Sequence, residues 1–268
     1  MQTAISYLHS MKRQLKKWTK RVTATLVLIA GLLLLIVFNP YISYGRKTTT
    51  AHFNIYHKQP LDPSLPATLE TARLLLKVSE FNNPDLRFDI CLNDGALYPG
   101  IVRSIQGDAF AWGFYDKVVV GSTINYREGI AEFHGYRWNL TQLFAHEMTH
   151  CLQFDKLGLW KSKPVARIAT WKWEGYAEYV SRQGQDQQDL VENIRRLNAT
   201  DEKEWAVTLA DNSISPREYY QYWLLVSYCL DIRKMSYSQL LADTNSEESL
   251  YGEMLRWFST ANKRAPAF

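Results

Sequence analysis

Residues 22–38 (VTATLVLIAGLLLLIVF) are seventeen uncharged, mostly apolar positions, and the uncharged stretch runs on to Gly45. A run of that length is near the lower limit for crossing a bilayer, and inside lipid its backbone can satisfy its own polar groups only as a helix. Six basic residues, Lys12, Arg13, Lys16, Lys17, Lys20 and Arg21, lie just before it. By the positive-inside rule they keep residues 1–21 in the cytoplasm and send the chain after Pro40 to the extracytoplasmic side, periplasmic or extracellular. A cleaved signal peptide also begins basic and then apolar. This apolar core is long for one, and no small-x-small cleavage site follows Phe38. The expectation is therefore a single-pass protein with an uncleaved signal anchor over 22–38.

The charge is unevenly placed. Residues 1–51 carry eight Lys and Arg and no acid, and because the whole chain is +4, the remainder is −4. A mildly acidic globular part has no electrostatic footprint for phosphate backbones, which excludes nucleic acid as a partner class. The 46% hydrophobic content is enough for one domain with a buried core. Cys91, Cys151 and Cys229 are odd in number and scattered, so they read as buried thiols and not as a disulfide framework or a zinc ribbon.

Residues 39–51 are polar and proline-punctuated and read as a stalk, with the folded domain over 52–268. A first helix is expected over 67–80, a strand over 87–93 (RFDICLN), and a hairpin from AFAWGFYD and KVVVGSTI. After Asn139 nearly everything has helical character. One helix and a short sheet followed by a helical half make an α+β domain, without alternating βαβ units.

The chemistry begins at Ala145-His146-Glu147-Met148-Thr149-His150, within a helical stretch that Asn139 can cap and Gly158 can end. Four residues apart on a helix, His146 and His150 share one face a turn apart, so both imidazoles can reach one ion. Glu147 is about a quarter-turn away at 3.6 residues per turn, which lets its carboxylate flank the ion as a general base without ligating it. In a chain with six His such a motif arises by accident on the order of one time in a hundred, so a third ligand is required. Downstream, Glu174 and Glu178 lie four apart on a second helix-like stretch, TWKWEGYAEYV, facing the same way.

The run Trp171-Lys172-Trp173-Glu174-Gly175-Tyr176-Ala177 resembles the WxxEGxA segment of gluzincin zinc metallopeptidases, the group that includes thermolysin-like and aminopeptidase-type enzymes. The resemblance is strongest over 139–179 and extends loosely to about residue 241. It implies a zincin-like domain and a Zn2+ cofactor held by His146, His150 and Glu174. The twenty-four-residue spacing from His150 to Glu174 is slightly wider than in the best-known members. It further implies that Glu178 orients the first zinc-bound imidazole, the alternative being a solvated surface carboxylate. The late segment EYYQYWLLVSY resembles the gluzincin helix that carries an oxyanion donor, which points to Tyr219, with Tyr222 second. KVVVGSTI resembles the edge strand that binds an extended substrate, the alternative being an ordinary strand of the sheet. No partner spacing links His52, His57 or His134 to the metal, His9 precedes the anchor, and Glu128 is a weak candidate for an amine-anchoring acid.

The expected activity is zinc-dependent hydrolysis of peptide bonds in a peptide or protein substrate. Two alternatives stand beside it: a catalytically silent zincin-fold protein acting as a membrane-tethered binding or assembly factor, and a structural membrane protein in which HEMTH is an accident.

Overall fold

The computed structural model describes residues 2–184 and 187–262; the side chain of His9 lies outside the described residues. A single helix, α1 (Gln2–Phe38), holds the whole apolar run, and over Gln14–Phe38 it is long and apolar enough to cross a membrane. Its apolar side chains from Val22 to Leu35 are exposed.

The segment expected as a stalk is instead part of the fold. After Pro40 the chain forms a short helix, α2 (Tyr41–Tyr44), then β1 (Arg46–Thr49), which pairs antiparallel with β2 (Phe53–His57). Tyr44 is buried and donates its hydroxyl to the Leu92 carbonyl at 2.8 Å. The stalk expectation failed because β1 is an edge strand exposed at all four positions, Arg-Lys-Thr-Thr, and so carries none of the alternation that marks a half-buried strand.

From β2 the chain passes through α3 (Leu65–Leu75), with a 3-10 turn at Leu76–Val78, to β3 (Phe88–Cys91). It continues through α4 (Tyr98–Gln106) to the antiparallel pair β4 (Ala111–Phe114) and β5 (Lys117–Val120). The five-stranded sheet runs β1-β2-β3-β5-β4, with β2, β3 and β5 mutually parallel. The molecule is therefore α+β with a mixed sheet, and two helical crossovers lie inside it. Their shortness hid them from the sequence pattern: four- and five-residue strands give too few positions to show continuous burial. The inner place of β5 also overturns the reading of KVVVGSTI as the substrate-binding edge. All four residues of β5 are buried, and the edge strand on that side is β4, Ala-Trp-Gly-Phe.

A meander of β6 (Thr123–Asn125), β7 (Ile130–Phe133) and β8 (Tyr136–Asn139) leads directly into α5 (Leu140–Leu157). The rest is helical apart from one ribbon: α6 (Thr170–Ser181), α7 (Leu190–Ala199), β9 (Ala206–Thr208), β10 (Ile214–Pro216), α8 (Arg217–Ser227), α9 (Tyr237–Ala242) and α10 (Glu247–Asn262). One sheet face, through Phe53, Ile55, Ile90 and Val118, packs on α3 and α5 in the main core. The opposite face, through Tyr56, Cys91 and Val119, packs on α4 and on Ile36 and Val37 of α1. All three cysteines are free and buried, as expected.

Candidate metal centre

The Asn139 side chain accepts a hydrogen bond from the Gln142 amide (3.1 Å), satisfying one of the donors a helix start leaves open, and α5 follows. At its far end Gly158, with φ 72°, donates its amide to the Phe154 carbonyl at 2.8 Å and stops the helix. Between these ends the helix is sandwiched by the sheet, α3 and α6, so residues 143–154 are all buried, the HEMTH run included. Gly113 of β4 lies so close that a Cβ there would stand 2.2 Å from the Glu147 carbonyl oxygen, and only glycine lets the edge strand approach this turn. On the other side Gly175 does the same for α6 against α8, where a Cβ would meet the Tyr222 carbonyl oxygen at 2.6 Å.

Between these two close packings α5 and α6 lie directly against each other, and the three expected ligands meet where they do. His146 Nε2 lies 3.2 Å from His150 Nε2, and Glu174 Oε2 lies 3.4 Å and 3.2 Å from the two nitrogens. Zinc bonds of roughly 2.0–2.1 Å at the tetrahedral angle require ligand atoms about 3.3 Å apart, so all three edges of this triangle fit one ion. Among the described residues it is the one group of three or more His, Cys, Asp or Glu side chains that could hold a metal.

The ring nitrogens turned away from the triangle determine what faces into it. Gln153 spends its amide nitrogen on the Trp173 carbonyl (3.2 Å) and the Tyr237 hydroxyl (2.7 Å), leaving its Oε1 to accept from His150 Nδ1 at 2.7 Å. On His146, Nδ1 lies 3.1 Å from Glu178 Oε1, obliquely to the ring's N–H direction. With the protons on both Nδ1 atoms, two Nε2 lone pairs and a carboxylate oxygen face one another across about 3 Å. Three acceptors crowded without a donor repel unless a cation or a proton lies among them. The metal-free protonation pattern shows the same demand. Burial opposes charge on His146, yet Glu174 and Glu178 outweigh it and push the group up to about 10. Burial likewise opposes ionisation of Glu174, and His150 and His146 hold it well below the usual carboxylate range.

Glu178 is fully buried and paired with the equally buried Arg182, so the solvated-surface alternative for it is overturned. Arg182 lies over the Trp223 and Trp138 rings, 5.6 and 6.0 Å from their centres. Glu147 is 6% exposed, and burial raises its carboxyl above the ordinary range against the pull of His146 and His150. Tyr219 stacks parallel to His146, 6.2 Å between centres and 5° between planes, and burial with the charges of Glu174 and Glu147 raises its hydroxyl. Tyr222 instead gives its hydroxyl to Glu218.

The remaining histidines stand elsewhere. His52 pairs with Glu70 (2.8 Å), His57 bonds Thr48 and the Gln59 carbonyl, and His134 is exposed in a turn with φ 50°. Glu128 pairs with Arg137 on the surface. Three side chains at the centre were missed by the sequence reading: Gln153, Arg182 and Trp173, whose ring stacks on His150 at 5.6 Å and 8°. Gln153 and Arg182 were within reach, since they follow His150 by three residues and Glu178 by four and so share their faces. Compared with known proteins, the chain matches no family model and no curated sequence.

Proposed function

We propose that this protein is a zinc-dependent peptide-bond hydrolase of the gluzincin type, a zincin-like domain anchored through α1 with the domain on the extracytoplasmic side. The observation that carries the reading is the triangle of His146 Nε2, His150 Nε2 and Glu174 Oε2, whose edges of 3.2–3.4 Å suit a tetrahedral ion. A buried, unligating carboxylate on the next residue of the same helix turn supports it. A site that only stored or displayed a metal has no use for Glu147 there.

Zinc, when bound, supplies a Lewis acid that polarises a carbonyl and lowers the pKa of water to about 7. The protein's own groups do the rest. Glu147, with its proton affinity raised by burial, takes the proton from the attacking water and passes it to the leaving amine. Tyr219, a neutral phenol beside His146, donates a hydrogen bond to the oxygen that becomes negative. Glu178, fixed by Arg182, and Gln153 hold the two imidazoles in the tautomer and rotation that present Nε2. β4, the edge strand of the sheet beside the HEMTH turn, takes the role of pairing strand for an extended substrate that the resemblance gives to KVVVGSTI.

Elemental analysis of the full chain in detergent should find about one equivalent of zinc, and its absence ends the reading. Glu147→Gln should keep that zinc and lower hydrolysis of a peptide library by about 100- to 10,000-fold. Unchanged cellular function of the zinc-loaded Glu147→Gln protein would instead favour the binding or assembly factor.

A further inference from the structure

The connection between the two ligand helices has features the metal centre does not use. Residues 156–173 contain Lys156, Lys161, Lys163, Arg167 and Lys172 and no Asp or Glu, although the chain beyond residue 51 is −4. Lys172 is buried and gives its ammonium to the Asp243 carbonyl at 2.5 Å. Lys156, Lys161 and Arg167 are exposed, and Lys163 is half-buried. Among the described residues none of these four forms an ion pair. In their midst Trp160 is 80% exposed, more than any other large apolar side chain described, and Val165 is 46% exposed. A tryptophan and an aliphatic side chain held out among unpaired cations is the composition of a membrane-interface segment, in which an amphipathic ring sits at headgroup level beside lipid phosphates.

The fold fixes where this segment stands relative to the bilayer. The last turn of α1 is not separated from the domain. Tyr98 donates to the Val37 carbonyl at 2.5 Å, and Ile36 and Val37 pack in the same cluster as Leu159 and Ile168, residues of this connection. Phe38 meets Tyr115 edge to face at 5.3 Å, and Tyr115 stacks on Phe154 at 5.3 Å, so two ring contacts join the lipid end of α1 to the last turn of α5. Tyr41, Ile42 and Leu97, exposed by 55%, 60% and 74%, flank the same junction.

We propose that residues 156–168 are a second membrane contact, with Trp160 and Val165 seated at the headgroup level of a bilayer and Lys156, Lys161, Lys163 and Arg167 over anionic lipid phosphates. The occupant is lipid because α1 already brings the bilayer to this side of the domain and the cations match its charge. The proposal rests on the reading of α1 as a membrane anchor and is independent of whether the centre hydrolyses peptides.

The test uses the full chain in nanodiscs, with a nitroxide label on Val165→Cys; Cys91, Cys151 and Cys229 are buried and stay unlabelled. The comparison site is Lys203→Cys, exposed between α7 and β9. The measurement is label accessibility to oxygen relative to a water-soluble nickel chelate. In phosphatidylcholine with phosphatidylglycerol the ratio at 165 should exceed that at 203 severalfold. It should fall towards the value at 203 when Trp160→Ala is combined with Lys161→Gln, Lys163→Gln and Arg167→Gln. Equal ratios at the two sites in anionic lipid overturn the proposal, and so does a high ratio that survives those substitutions. Dipolar broadening between labels on two chains, independent of lipid charge, also overturns it and assigns the face to a second copy.

Discussion

The two histidines of the centre are held in contrasting ways. His146 is backed by a carboxylate, Glu178, that is itself paired with a buried guanidinium, and a phenol, Tyr219, stacks beside the ring. His150 is backed by a neutral amide, Gln153, which is tied to a backbone carbonyl and a second phenol, and an indole, Trp173, stacks on the ring. One side is charged; the other is polar but neutral. The ligand atoms are chemically alike, so the difference lies in what each surrounding can do. A buried charge pair fixes orientation strongly but fails badly if broken, whereas a neutral network tolerates loss better.

The contrast is broken most severely at Glu178. Replacing it with Ala leaves Arg182 buried without its counter-charge, and the expected cost is about 3–5 kcal/mol in denaturant unfolding of the solubilised chain. Zinc affinity should fall by about 100-fold, the upper end for a group that orients a ligand. Glu178→Gln, which keeps the shape, separates the charge from the packing. An Ala variant as stable as the parent would show that Arg182 finds another partner and that the His146 side is not held by charge. Next in size is Tyr219→Phe, which under the proposed role of that phenol as oxyanion donor should lower kcat by about 100- to 1,000-fold with KM nearly unchanged. A parallel rise in KM with kcat intact would move Tyr219 from chemistry to substrate binding. On the neutral side, Gln153→Ala should cost about 1–3 kcal/mol, since it leaves the buried His150 Nδ1 without its acceptor, while the Tyr237 hydroxyl keeps its bond to the Lys172 carbonyl. The accompanying loss of zinc affinity is about 10-fold, read by competition with a fluorescent chelator. If Gln153→Ala weakens zinc as much as Glu178→Ala, the proposed asymmetry is wrong.

What the sequence made visible follows the same division between local and long-range causes. The α5 helix, its cap at Asn139 and its stop at Gly158 were legible because they depend on side chains within one or two turns. The pairing of His146 with His150 and of Glu174 with Glu178 was legible because helical spacing alone puts them on one face. That Glu178 is buried was not legible, because it depends on α6 being covered by α8, and a carboxylate on a helix reads the same whether solvated or enclosed. The strand order was hidden for a related reason. Whether Lys-Val-Val-Val or Ala-Trp-Gly-Phe lies at the edge is decided by crossovers far away in the chain, and four residues carry no mark of it. Arg46–Thr49 reads as a stalk in the sequence because an exposed edge strand needs no apolar face.

The smallest effect tests whether both sides hang from one support. Asn139 sits where β8 ends and α5 begins, capping the Gln142 amide and donating to Asp211 at 3.2 Å. Asn139→Ala should cost about 1 kcal/mol, the usual price of a lost cap. Zinc affinity should not change, because the turns bearing His146 and His150 are fixed by burial against the sheet and α6 and not by the helix start. Equal loss of zinc affinity through both histidines in that variant would mean that the frame of α5, and not the groups behind each imidazole, sets the geometry, and the contrast between a charged and a neutral side would lose its force.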